Sequence, residues 1–412
     1  MTLIKTKQID GTFIPEWLVD LFGRMKVSLP FTQLVINQSS AIASEYATGG
    51  QVSGTGGTVT ALPNEAATSL SVGATTSLVR FRGSRPGLYQ AGKPLLLYQT
   101  FVLETGSTNV NKRVGYFYNN NGIYLELRGT NELSFCLRTG TSGSPVVSRV
   151  LQANWNLDKF DGTQLGYNFD LTKAHILFIA FEWLGVGDIV VGFIKDRTPI
   201  AAHVFSHSNA LTGVYMSSPN LFPTWEIERT LAGTGTTTLK SICASLITEG
   251  TTEELGRQYA IRKTASYSTG TANTWRAIML VRLNPAFLNS VVSIIDIDFL
   301  ITSNNNCIVA LVKAPTLSGA YTPTWTTLAN TSIQYDEAIT STLSVTNADT
   351  SAEWMQCLFG NASIRENASY NNRIDILTSR FNDVPEVYAV CIRTDALNTT
   401  VASMVVNLWE QN

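Results

Sequence analysis

The sequence predicts an all-β protein: a short N-terminal arm with one helix, followed by two β-sandwich domains of jelly-roll type. Three observations predict it. Short apolar runs rich in β-branched and aromatic residues recur along the chain, separated by Gly, Asn, Ser and Thr clusters. Residues 178–194 (Phe-Ile-Ala-Phe-Glu-Trp-Leu-Gly-Val-Gly-Asp-Ile-Val-Val-Gly-Phe-Ile) read as two buried strands joined by a glycine-marked turn, with Gly185, Gly187 and Gly192 relaxing the backbone. Only one segment carries a helical pattern, and 412 residues exceed one ordinary domain.

Residues 1–75 form the arm and linker. The helix is expected over about 15–23: Pro15 suits a first helical turn, Glu16 the positive helix end, and Gly23 the C-terminal cap. Trp17, Leu18, Leu21 and Phe22 share one face of it. So short a helix does not hold itself together. Its face either packs on its own domain or anchors the chain in a neighbouring subunit. Residues 37–75 are rich in Ser, Thr, Gly and Ala and read as a loop or linker, with short strands near 41–47 and 59–62. Their glycines precede no Lys-Ser or Lys-Thr and open no helix, which argues against a phosphate-binding loop.

The first sandwich is expected over 76–258, with strands at 77–82, 94–103, 113–118, 123–128, 133–139, 176–183, 188–195, 199–206, 225–230 and 239–246. Asn121-Gly122 between two of these runs is a hairpin signal. A polar connection at about 248–258 leads to the second sandwich, 259–412. Its strands are expected at 274–283, 291–302, 308–313, 332–335, 342–346, 354–359, 373–379, 387–394 and 404–409. No internal repeat is evident.

Composition narrows the function. Charged residues are 15% of the chain, well below the average soluble protein, while 44% are hydrophobic, enough to build a core. A net charge of -2 gives no electrostatic case for nucleic acid or an acidic membrane. The five cysteines (136, 243, 307, 357 and 391) are widely spaced and form no CxxC, so a zinc site is not expected. Cys136 and Cys391, inside strand-like runs, read as small buried hydrophobes in a chain made in a reducing cytoplasm. No secretory signal and no apolar run of about 20 residues is visible. Together these features suggest release by lysis, as for a virion component.

No catalytic set assembles from the sequence, and no cofactor is implied. His203 and His207 would share a strand face, with Glu182 or Asp188 as a further ligand, but i and i+4 along a strand lie about 13 Å apart. Strand-edge histidines fit that spacing better than one ion. Glu126 and Glu182 lie on apolar strands. A glycosidase would need them about 5–10 Å apart in a cleft; pairing with arginines such as Arg128 or Arg138 is the plainer reading. With three histidines and no Gly-x-Ser-x-Gly elbow, a Ser-His-Asp triad has no recognisable setting. Of the eight tryptophans, Trp155 and Trp325 sit in polar, loop-like surroundings and are the candidates for stacking on a sugar face; core filling is expected for most of the others. Asn37, Asn330, Asn361, Asn367 and Asn398 begin N-glycosylation sequons, expected to be unused.

The order of several motifs resembles a group of virion structural proteins of tailed bacteriophages. The motifs are Arg-Gly-Ser-Arg-Pro-Gly-Leu-Tyr-Gln-Ala-Gly-Lys at 82–93, Arg-Val-Gly-Tyr-Phe at 113–117, Asn-Gly-Ile-Tyr-Leu-Glu at 121–126 and Gln-Ala-Asn-Trp-Asn-Leu-Asp-Lys-Phe-Asp-Gly at 152–162. The runs at 181–187, 215–221, 225–227 and 282–292 complete the set. The resemblance spans about 77–340 and is weakest before 75; the first sandwich is also similar in strand texture to concanavalin-like jelly rolls. It implies a non-enzymatic particle protein. Such a protein would be a head decoration or fibre attached through its N-terminal arm, or a tail or baseplate module that recognises host glycans; a polysaccharide depolymerase is a further alternative. The implied partners are other virion proteins, further copies of itself and possible host-surface glycan, with no nucleic acid and no membrane insertion; the implied location is the virion.

Overall fold

The computed structural model describes residues 30–38, 50–250 and 256–411, apart from 184, 186, 209, 264, 289, 303–305, 320, 338, 341–342, 360–365, 375–383 and 396–399. The helix expected over 15–23, with Trp17, Leu18, Leu21 and Phe22, lies outside the described residues.

The chain is two β-sandwiches. The first uses β1 (Pro30–Asn37), β2 (Gln51–Gly54), β3 (Gly57–Leu62), β4 (Ala67–Val72), β5 (Ser77–Arg82), β6 (Leu95–Val102), β7 (Val110–Phe117) and β8 (Gly122–Arg128). It continues through β9 (Glu132–Thr139), β10 (Val146–Leu151), β11 (His175–Phe181), β12 (Ile189–Lys195), β13 (Thr198–Phe205), β14 (Pro223–Arg229) and β15 (Thr237–Glu249). An eight-stranded sheet runs β13-β12-β11-β6-β15-β4-β3, with β1 also on β15; a seven-stranded sheet runs β10-β9-β8-β7-β14-β5-β2. Side chains alternate across each strand. One set, including Leu97, Ile179, Val191 and Leu246 from the first sheet and Val114, Leu125, Phe135 and Trp225 from the second, meets in a single core.

The second sandwich uses β16 (Arg257–Lys263), β17 (Tyr267–Ser268), β18 (Arg276–Leu283), β19 (Val291–Ile301), β20 (Asn306–Lys313) and β21 (Thr326–Thr327). It ends with β22 (Ile333–Asp336), β23 (Ala352–Phe359), β24 (Glu366–Ile374), β25 (Tyr388–Thr394) and β26 (Thr400–Gln411). Its sheets run β16-β26-β19-β24, with β17 on β26, and β21-β22-β18-β25-β20-β23. Where the two sandwiches meet, Leu88 packs on Val291 and Trp409. The Gln33 amide holds the Leu88 backbone from both sides, donating to its carbonyl at 2.7 Å and accepting from its N–H at 2.9 Å.

The structure corrects the linker reading of 37–75. β3 contains the strand expected at 59–62, and β2 and β4 add two that were not expected, β2 pairing with β5 and β3 with β4, which in turn pairs with β15; the strand expected near 41–47 lies outside the described residues. Small polar residues hid β2 and β4, and Leu70 and Val72 of β4 complete the core. Of the strand expected at 342–346, the described residues 343–346 form no full strand: Ser344 and Val345 make only isolated bridges, followed by the single helical turn α1 (Ala348–Ser351). The strand β10 escaped the sequence reading because it is an edge with no fully buried residue.

Several turn glycines, such as Gly143 and Gly162, have positive φ, but two at hairpins act through space instead. A Cβ on Gly122 would run into Phe117 across the β7–β8 hairpin, and one on Gly185 into the Gly213 carbonyl. Neither needs a positive φ, so the sequence expectation that Gly185, Gly187 and Gly192 supply unusual angles is replaced by close approach.

Candidate functional site

The outward face of the seven-stranded sheet carries a row of alternating charge. In register across neighbouring strands stand Arg80 on β5, Glu226 on β14, Arg113 on β7 and Glu126 on β8. These positions alternate with Val79, Ile227, Val114 and Leu125, which point into the core, so the pleat itself aligns the charges. Opposite charges directly across a ladder stabilise the pairing. Arg80 Nη2 lies 2.5 Å from Glu226 Oε2; Arg113 Nη1 donates to Glu226 Oε1 at 2.6 Å and to Glu228 Oε2 at 2.8 Å. Arg113 Nε donates to Glu126 Oε1 at 2.8 Å, and Arg149 Nε, from β10, to Glu126 Oε2 at 2.7 Å.

All four charges of the row are buried. Burial works to raise the Glu226 carboxyl, but the Arg80 and Arg113 guanidiniums outweigh it and hold it down at about 2. Burial likewise opposes the Glu126 charge, and Arg113 with Arg149 keeps that carboxyl below the usual carboxylate range. Beside them burial pushes the Cys136 thiol up to about 12, with the Glu126 charge adding to the effect. Neither carboxyl is available as an acid near neutral pH, and the thiol is not a nucleophile there.

The sequence-derived candidates fall in different places. Glu126 and Glu182 do not form a pair: Glu126 belongs to the row, while Glu182 is exposed after β11 and its carbonyl accepts from Tyr215 Oη at 2.6 Å. The partners of Glu126 are Arg113 and Arg149, not Arg128 or Arg138. Arg128 stands one row away, 3.7 Å from Glu132, and Arg138 lies over the Tyr124 ring, donating to the Tyr118 and Asn119 carbonyls. His203 Nδ1 accepts from the Asn156 N–H at 3.3 Å, whereas His207 stacks on Tyr215 with Nδ1 3.0 Å from the Gly187 carbonyl oxygen. Among the described residues no three His, Cys, Asp or Glu side chains gather as a metal site.

Trp155 was expected at the surface and is instead 2% exposed. Its ring packs with Phe135 and Phe193 in the core, and its Nε1 donates to the Val150 carbonyl at 3.1 Å. The polar residues around it in sequence form an irregular loop that wraps the core, and one ring fills the space beneath. Trp325 is half-buried: the Arg282 guanidinium sits 4.0 Å from its ring centre and is itself held by Gln334.

Sequence reasoning missed a second aromatic arrangement at one end of the first sandwich. Trp183 meets Tyr89 edge to face at 5.8 Å, and its Nε1 donates to the Met216 carbonyl at 2.8 Å. The Tyr89 N–H is fixed by Asn220 at 3.1 Å. Both rings are half-buried; burial raises the Tyr89 phenol, and the exposed Glu182 carboxylate lies close enough to add to the effect. All three segments were visible as motifs, but only the fold brings 89, 183 and 216–220 together.

No protein-family model and no curated protein matches the chain. Among solved structures it is similar to the CBM2 module of Lactobacillus casei BL23 phage J-1 evolved Dit, at 7% identity over 55% of this chain and 99% of that one, with a TM-score of 0.32. Lectin I-B4 from Griffonia simplicifolia matches at 13% identity over 54% of this chain and 99% of that one, TM-score 0.30. The apo Crh5 transglycosylase matches at 11% identity over 54% and 85%, TM-score 0.32. The likeness is one of fold, and it carries no residue's role into this chain.

Proposed function

We propose that this chain is a non-enzymatic structural protein of a tailed-phage particle, exposed on its surface as a head decoration or fibre and attached through residues before Pro30. The observation that carries the non-enzymatic part is the closed row Arg80–Glu226–Arg113–Glu126. The paired carboxylates of the first sandwich share one guanidinium, are buried, and stay ionised at neutral pH. That arrangement staples four strands and leaves no proton to donate. The motifs at 82–93, 113–117 and 152–162 supply the particle reading. Deleting residues 1–29, which leaves β1 intact, should abolish incorporation into particles; full incorporation of the truncated chain would sink the anchoring role.

A second reading is a glycan-recognising module of the tail or baseplate. It is favoured by the half-exposed Trp183–Tyr89 pair with Glu182 nearby, an apolar ring face next to a hydrogen-bond acceptor. Glycan-array binding lost in Trp183→Ala would support it; no binding by the intact chain would remove it.

A further inference from the structure

We propose that the outward face of the eight-stranded sheet is where a second copy of this chain docks. An antiparallel sheet with one face in water ordinarily carries polar residues there. This one does not. One cross-strand row reads Ile247, Leu96, Ala180, Val190, Val204. The next reads Val35, Ser245, Tyr98, Phe178, Gly192. The third reads Asn37, Cys243, Thr100, Ile176. None of these positions is Asp, Glu, Lys or Arg. They point away from the core, because Leu97, Ile179, Val191 and Leu246 between them point into it. Part of the face is open to solvent: Val35 is 45% and Ile176 37% exposed, and a groove of about 650 Å³ runs beside Tyr98, while Phe178 in the same row is buried.

The occupant is argued from charge and area. Arg197 lines the groove, but the three rows themselves carry no charge, so the face can meet its own image about a two-fold axis with few like charges opposed. The three rows each cross four or five strands, six in all, at about 4.8 Å spacing and span three outward positions, on the order of 500–600 Å² per copy. That reaches the lower end of stable specific interfaces, about 600 Å² per partner. Tyr98 lies at the centre, the place and residue type of an interface anchor. The charged row lies on the opposite outer face of the sandwich and stays clear of such a contact.

The test is the mass of the intact chain in solution by sedimentation at micromolar concentration, for wild type and for Val35→Lys and Ile176→Lys, both at exposed positions. The expected result is an even-numbered wild-type oligomer whose dissociation constant rises at least 100-fold in either variant. A monomeric wild type overturns the proposal, whatever else binds the face; so does an oligomer untouched by both lysines. Should the variants misfold, radical footprinting of wild type decides. Tyr98 labelling that falls as concentration rises supports the interface, and labelling independent of concentration overturns it.

Discussion

Arg113 stands directly opposite Glu126 on neighbouring strands, and its Nε donates to Glu126 Oε1 at 2.8 Å while its Nη1 reaches Glu226 at 2.6 Å. One guanidinium therefore bridges two buried carboxylates, each of which also pairs with a second arginine, Arg80 or Arg149. Arg113→Met would leave both without their shared partner. Stripping one member from a buried ion network costs about 3–5 kcal/mol. Urea unfolding should show that loss, whereas Arg128→Met, which removes only the exposed contact to Glu132, should cost under about 1 kcal/mol.

The same network sets the acid limit. An unfolded glutamate titrates near 4.3, and folded Glu226 near 2. Because its folded value is depressed, its contribution to stability is complete above the unfolded value and is lost as pH falls from about 5 towards 2. Glu126, also depressed, adds in the same direction. In Glu226→Gln the fall in stability over that window should be shallower than in wild type, as read from urea midpoints at each pH. Equal slopes would mean that Glu226 is not held ionised.

Lys112 predicts a slope of the same sign at alkaline pH. Its Nζ is buried and donates to the Leu103 and Thr105 carbonyls at 2.6 and 2.8 Å. Burial lowers it to about 8, against a smaller opposing pull from Glu104. Between about 8 and the unfolded value near 10.4 the unfolded chain holds the proton that the folded chain has lost, so this group makes stability rise with pH. The difference in unfolding free energy between wild type and Lys112→Met, followed from pH 7 to about 10, should move in favour of wild type.

The three tryptophans separate stability from recognition. Trp155→Ala should cost about 3–5 kcal/mol, the range for a large buried aromatic, and change no surface. Trp325→Ala and Trp183→Ala, both half-buried, should cost less in thermal unfolding. Glycan binding, if the chain has it, should respond to Trp183 and not to Trp155.

What the sequence revealed follows physical lines. Strands with alternating or continuous apolar runs, such as β8, β11 and β12, were legible because one face is core. β2 and β4 were not, because small polar residues fill their outward positions, and β10 was not, because it buries little; of this stretch only β3, at 59–62, was expected. The expected arginine partner of Glu126 existed, but its identity depended on register: Arg113 and Arg149 are 13 and 23 residues away in sequence, and only the pairing of β7, β8, β9 and β10 brings them in. Trp155 misled for a related reason. Polar neighbours mark a loop, yet a loop can still drive one ring into the core.

The most direct measurement is a cryo-electron microscopy map of the intact particle in which this chain is located. The expected result is density for both sandwiches on the particle exterior, on the capsid lattice, with residues before Pro30 at the contact. Density confined to the tail tip or baseplate, or particles that lack the chain altogether, would contradict the decoration or fibre role.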